Sequence, residues 1–329
     1  MNKTIHVSIA ACNEKDLYQT VLSAIHNAAH PDRLYFGIVS HSFTKELQDL
    51  SAINGNINCM YVSYPGPTGV GIPRLIASML NNRLQDFYFQ IDAHMIFENN
   101  WDVDLIEAYD KIKIKFEKPI ITTYGPWWYE DDGGCIKLST HPDMLVDPYD
   151  FKGVVGVTTG GLRVGDFKSN LFRRHIPIDG SHTDWAKLDS DYNEHHLIAG
   201  GFFFTEMSFV SEVLPDPYIL FGGEEPTTAL RAWTRGYRFF NIKKPICWHK
   251  NKLGDNPDKD DWRTPSNSPD KRVFSLFVEN DVHSLKRVKD VFLGNIIGYW
   301  GAPNVELLKE YESVLGVSFA EYYDQVGGL

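Results

Sequence analysis

The sequence predicts an α/β fold built on a largely parallel sheet. Three observations carry that reading: short apolar runs rich in β-formers at Ile5–Ala11, Leu34–Val39, Asn58–Ser63 and Phe87–Ile91; helical periodicity between them; and polar turns where one pattern gives way to the other. A helix that follows a strand carries the chain back over the sheet, so successive strands run parallel.

The elements follow in order. Ile5 to Ala11 ends in the turn Cys12-Asn13-Glu14, after which Leu17, Val21, Leu22, Ile25 and Ala28 mark one face of a helix. Two strands follow, and then Ile72, Leu75, Ile76, Met79 and Leu80 recur at helical spacing before the strand Phe87–Ile91. A further helix begins near Asp102, and Pro119–Tyr124 reads as the next strand. From Gly125 to His196 periodicity fades into a stretch rich in Gly, Asp and aromatics. Tyr124, Trp127, Trp128 and Tyr129 there form either a wall facing a substrate or a cluster packed under a long loop. Order resumes with Gly200-Gly201 entering the strand Phe202–Thr205, then with Phe221-Gly222-Gly223-Glu224-Glu225 leading into a helix that carries Leu230 and Trp233. Tyr237 to Cys247 reads as a strand and turn, Lys252 to Pro269 as a polar, turn-rich segment, and Val273 onward as a mainly helical tail. No internal repeat or low-complexity tract occurs.

Bulk composition narrows the function classes. With 329 residues and 43% hydrophobic content, the chain can bury a sizeable core. The balance of 32 basic against 43 acidic residues, a formal net charge of -11, disfavours broad attachment to nucleic acid or an anionic membrane. Basic and aromatic residues gather at Lys168–His175 and Lys243–Lys252, but interrupted patches of this kind suit solvated faces. No run of about 18 apolar residues and no signal-peptide core is present, so a soluble, cytoplasmic protein with no membrane partner is expected. Cys12, Cys59, Cys135 and Cys247 lie far apart without a CxxC pair, as suits reduced thiols.

Chemistry concentrates at strand ends. Asp92 and His94 sit directly behind the apolar run Phe87–Ile91, where an oxygen and an imidazole donor two residues apart can turn toward one divalent cation. Ligands of parallel sheets gather beyond the carboxyl ends of the strands, so Asn13, His41, Asp92 and His94 are expected in one crevice. Three later features complete a site: Gly200-Gly201, Glu224-Glu225 followed by Arg231, and Trp248-His249. Each also has a plain structural reading: glycines permit positive φ, glutamates stabilise a helix N-terminus, and a single His packs in many surfaces.

In that order, the motifs resemble the glycosyltransferases of the GT-A fold, specifically the polypeptide hydroxyproline α-N-acetylglucosaminyltransferases and, more distantly, the mucin-type polypeptide N-acetylgalactosaminyltransferases. The likeness spans most of the chain. It rests on His6-Val7-Ser8-Ile9-Ala10, Gly71-Ile72-Pro73-Arg74, Gln90-Ile91-Asp92-Ala93-His94-Met95-Ile96-Phe97, Asn100-Trp101-Asp102, Ala199-Gly200-Gly201-Phe202, Gly223-Glu224-Glu225, Arg231-Ala232-Trp233-Thr234-Arg235-Gly236-Tyr237 and His249. The resemblance implies a GT-A domain over residues 1–272, with an acceptor region at about 125–198, and a helical extension over 273–329 packed on it.

It further implies that Asp92, His94 and His249 hold Mn2+ or Mg2+, which grips the diphosphate of a UDP-sugar while Arg74 adds positive charge. Arg74 has a second reading, a structural pair with Asp92. Ala10, Asn13 and His41 would lie near the uridine, Gly200 and Gly201 near the sugar, and Glu224, Glu225 and Arg231 would serve the reaction. The chain departs from its relatives at Ala11-Cys12-Asn13-Glu14, where they carry Ser-Tyr-Arg-Asp, and at His41, commonly Gln, which leaves the uridine contacts and the donor sugar open. The implied activity is transfer of N-acetylglucosamine, with retention, to an acceptor hydroxyl, chiefly on a protein. A glycan or a hydroxylated DNA base are the alternative acceptors. An inactive sugar-binding protein of this fold and a nucleotidyltransferase are the competing classes, the latter weakened by the lack of a glycine-rich phosphate loop near the first strand.

Overall fold

The computed structural model describes residues 3–42, 49–64, 68–81, 84–123, 127–130, 134–138, 191–242, 244–250, 271–316 and 318–325. β1 (Ile5–Cys12), α1 (Leu17–Asn27), β2 (Leu34–Ser42), β3 (Asn56–Ser63), α2 (Gly71–Met79), β4 (Phe87–Ile91), β5 (Met95–Phe97), α3 (Trp101–Lys113) and β6 (Pro119–Thr122) form the first half. β7 (Trp127–Glu130), β8 (Ile136–Leu138), β9 (Tyr192–His195), β10 (Phe202–Glu206), α4 (Phe209–Glu212), α5 (Glu224–Trp233), β11 (Arg238–Ile242) and β12 (Cys247–Lys250) follow. α6 (Lys271–Phe292), α7 (Val305–Leu315) and α8 (Phe319–Gln325) close the chain.

Eight strands make one sheet in the order β3-β2-β1-β4-β10-β6-β11-β9. β1, β2, β3 and β4 run parallel, as do β6 and β11, whereas β10 enters antiparallel between β4 and β6, and β9 is an antiparallel edge. The strands alternate by face, as a period of two requires. Ile5, Val7, Ile9, Phe87, Phe89, Ile91, Phe202 and Phe204 pack beneath α1 and α3. Tyr88, Phe203 and Phe239 face the opposite core, closed by α5, α6, α7 and α8.

A smaller sheet, β5-β12-β7-β8, stands beside the first. The structure adds short strands to the stretch where periodicity fades: β7, β8 and β9 all fall within Gly125–His196. Most of the remainder of that stretch, 139–190, lies outside the described residues, as do Tyr124 and the segment 251–270. The strands were missed because each is only three or four residues long, too short for alternation to register. Trp128 belongs to the core rather than to a substrate wall: it is fully buried and its indole N–H donates to the His94 carbonyl at 3.0 Å. Tyr129 is exposed.

The last helices are tied to α5 by arginines. Arg235 donates to the carbonyls of Gly298, Tyr299 and Gly301, and Arg231 to those of Leu214 and Tyr299. Asn304 caps α7 by accepting the Leu307 N–H. The four cysteines are free thiols, and among the described residues no helix is long and apolar enough to cross a membrane.

Candidate active site and metal centre

The site forms where the two sheets meet at the carboxyl end of β4. Asp92 follows β4 immediately, His94 precedes β5, and β12 lies antiparallel to β5 with His249 opposite Met95. A backbone bond from Lys250 N–H to the His94 carbonyl fixes that register at 3.0 Å. Strand pairing therefore brings together side chains separated by 157 positions in the sequence. One ligand atom from each of Asp92, His94 and His249 lies within 4.8 Å of the others.

The hydrogen-bond pattern fixes the tautomers. His94 Nδ1 faces the Glu14 carboxylate at 2.8 Å, and His249 Nδ1 faces the Lys250 carbonyl at 3.0 Å. Both partners only accept, so each Nδ1 carries the proton and each Nε2 presents a lone pair. The two Nε2 atoms lie 2.9 Å apart, and Asp92 Oδ2 is 3.3 Å from the one on His249. Three electron-pair donors thus converge with no proton of the neutral rings between them, an arrangement that a cation satisfies. The spacings bracket the edge of about 3.0 Å that six-coordinate geometry requires for bonds of about 2.1 Å. The donor set fits a divalent cation of the Mg2+/Mn2+ kind.

Around this cluster the carboxylates are ordered by one guanidinium. Arg74, in the first turn of α2, donates to Glu224 at 2.6 Å and to Asp92 at 3.4 Å. Burial opposes its charge, but Glu224, Asp92 and Glu225 raise its pKa above the usual guanidinium range. Burial likewise opposes ionisation of Asp92, yet its neighbours His249, His94 and Arg74 outweigh it and hold the carboxyl well below the ordinary range. Of the two readings of Arg74 made from sequence, the pair with Asp92 is present.

The glycine pair serves close approach to protein groups. A Cβ on Gly201 would sit 2.4 Å from Asp92 Oδ2, and one on Gly200 would sit 2.6 Å from an Arg74 nitrogen. Gly200 N–H donates to Glu225 at 2.6 Å, and its carbonyl accepts from Gln90 at 2.7 Å. Glu224 is buried against Arg74, while Glu225 is partly exposed beside it. At the other end of the crevice, Asn13 has φ +50° and donates its N–H to the His41 carbonyl at 2.8 Å, beside Ala10 at the end of β1.

One expectation needs correction. Arg231 does not join the cluster: seven residues down α5 from Glu224, roughly 10 Å along a helix, its guanidinium bonds Leu214 and Tyr299 and stacks over Trp300 at 5.1 Å. His41 is buried, with Nε2 facing the Tyr64 carbonyl at 3.2 Å and Nδ1 facing Thr68 Oγ1 at 3.4 Å and Cys12 Sγ at 3.5 Å. Burial lowers its pKa, against the bond to Tyr64, so it stays neutral, while burial and Glu14 push the Cys12 thiol up to about 12. Sequence reasoning missed two groups, Glu14 and the buried pair Lys250 Nζ to Asp16, 2.9 Å. Glu14 stood in the departing tetrapeptide, which was its only signal.

A crystal structure of GalNAc-T7 with UDP, GalNAc and Mn2+ matches with a TM-score of 0.50 at 16% identity, covering 98% of this chain and 56% of that one. The chain thus spans about half the length of that relative, and the likeness is one of fold. S. aureus TarS matches at 0.44 and 11% identity over 85% of this chain and 43% of that one. TarS 1-349 in complex with UDP-GlcNAc matches at 0.41 and 12% over 94% and 81%. No curated protein matches the sequence. The architecture is that of the GT-A glycosyltransferases. Residues 49–321 match the family model described as Glycosyltransferase (GlcNAc), and the chain belongs to that family.

Proposed function

We propose that the protein transfers a sugar, N-acetylglucosamine by its family, from a UDP-sugar to an acceptor hydroxyl on a protein, with retained anomeric configuration and with Mn2+ or Mg2+ held by Asp92, His94 and His249. The observation that carries this is the convergence of two Nε2 lone pairs and one carboxylate oxygen, with both Nδ1 protons committed elsewhere. The bound cation would neutralise charge on the departing diphosphate.

The chain's own groups divide the remaining work. Arg74 pairs with Asp92 and Glu224 and so orients both carboxylates, and its charge adds to the positive potential beside the leaving group. Asn13, Ala10 and the Cys12–His41 wall border the uridine end, with His41 acting through the segment it holds. Glu225, the more exposed of the two glutamates, orients hydroxyls of the sugar or the acceptor. No residue stands as an evident covalent nucleophile in the motif set, so the reading is a front-face displacement. The acceptor oxygen bonds to the anomeric carbon as its bond to the β-phosphate oxygen breaks, and that oxygen takes the acceptor proton.

The experiment is incubation of purified protein with a panel of UDP-sugars and Mn2+, with UDP release measured and the product anomer assigned by NMR. Release with one donor, dependent on metal and giving the α anomer, is expected. An inverted product removes the front-face mechanism, and no release from any donor removes the transferase reading in favour of sugar binding alone.

A further inference from the structure

We propose that Glu14 is a positioning residue of the cation site: its carboxylate fixes the proton of His94 on Nδ1 so that the Nε2 lone pair is delivered to the metal. The proposal rests on the cation reading above, and the experiment separates the two.

The geometry is specific. Glu14 Oε2 lies 2.8 Å from His94 Nδ1, with both side chains nearly buried, at 14% and 12% exposure. Its other oxygen receives the Asp16 N–H at 3.3 Å, which anchors the carboxylate to the start of α1. Glu14 sits on the ring edge opposite Nε2, so it addresses the histidine rather than the cation. A carboxylate on the distal nitrogen of a ligand histidine fixes the ring's tautomer and orientation and raises its basicity. The same turn steadies the second histidine less directly. Asp16 receives both bonds of the buried Lys250 ammonium, at 3.0 and 2.9 Å, and the Lys250 carbonyl is the acceptor for His249 Nδ1. The turn after β1 therefore reaches both imidazoles, one by a side chain and one through the neighbouring strand.

This arrangement gives meaning to the chain's departure at Ala11-Cys12-Asn13-Glu14. Asn13 takes the left-handed φ of +50°, and the residue after it is the one that meets His94.

The test uses the full chain, with 15N-labelled histidine, as wild type, Glu14→Gln and Glu14→Ala. NMR of the metal-free protein reads the His94 tautomer directly: the Nδ1–H form is expected in wild type and in Glu14→Gln, whose amide oxygen still accepts, and its loss in Glu14→Ala. Calorimetric titration with Mn2+ is expected to show affinity reduced about tenfold in Glu14→Gln and up to about 100-fold in Glu14→Ala. Thermal melting of the same samples separates misfolding from this effect, because a merely structural role would lower the melting temperature without moving the tautomer in the folded protein. An Nε2–H tautomer in wild type, or equal Mn2+ affinity in all three proteins, overturns the proposal. Wild type that keeps the Nδ1–H tautomer but binds no Mn2+ overturns the cation reading, and with it the role given to Glu14.

Discussion

His249 contributes one exposed edge of its ring to the site, with the side chain 30% accessible, so its removal tests function with little cost to the fold. His249→Ala is expected to lower turnover at least about 100-fold, the range for losing one electrostatic stabiliser of a transition state. Chemical unfolding should meanwhile shift by no more than about 1 kcal/mol. Turnover at the wild-type rate would take His249 out of the site. Gly201 makes the complementary prediction. A methyl group there would stand 2.4 Å from Asp92 Oδ2, and the obstacle is a carboxylate held on its other side by Arg74. Gly201→Ala is therefore expected to displace Asp92 and to weaken Mn2+ binding, read by titration calorimetry, while circular dichroism stays unchanged. Undiminished binding would mean that the β4 end yields more readily than its hydrogen bonds suggest.

At the scale of elements, α5 does two jobs at its two ends. Its N-terminus, released by Gly223 at φ +88° against Val288, places Glu224 and Glu225 at the site. Its last turn carries Arg231, and Arg235 follows just beyond its end; the two guanidinium groups hold the segment 298–301 and so dock α6 to α8. The sequence motif Arg231 to Tyr237 thus secures packing in the described geometry. Arg231→Met is expected to destabilise the protein by roughly 2 kcal/mol, since it leaves the Leu214 carbonyl without its guanidinium donor. The surviving folded protein should keep its kcat/KM within about threefold. A large fall in kcat/KM with an unchanged melting temperature would return Arg231 to the chemistry.

For the whole molecule, acid sensitivity has a clear source in buried neutral histidine. Burial drives His195 down to about 3, despite the bond to the Thr122 carbonyl, and burial also lowers His196 and His41. Between about pH 6.5 and about pH 3 the unfolded chain takes up a proton at His195 that the folded chain refuses. Stability therefore falls as pH drops through that window, by about 1.4 kcal/mol per unit for this one group, and is fully present above it. Urea unfolding at pH 6.5 and pH 5 should show wild type losing about 2 kcal/mol more than His195→Gln. Equal losses would show that His195 is not the group responsible.

The sequence alone carried much of the frame. Apolar runs such as Phe87–Ile91 and the helical face from Leu17 to Ala28 are local patterns, because a period of 2 or 3.6 records which face a short segment buries. β1, β2, β4, α1, α2 and α3 were legible for that reason, and so were Asp92 and His94, which lie at one strand end. Tertiary structure decided what depends on partners far away in the chain. It inserted β10 antiparallel between β4 and β6, and it paired β12 with β5 so that His249 meets His94. It also separated Arg231 from Glu224 and drew Glu14 against His94. None of these leaves a periodic trace, since a contact across 80 or 155 positions is set by strand register and burial rather than by the residues next to it.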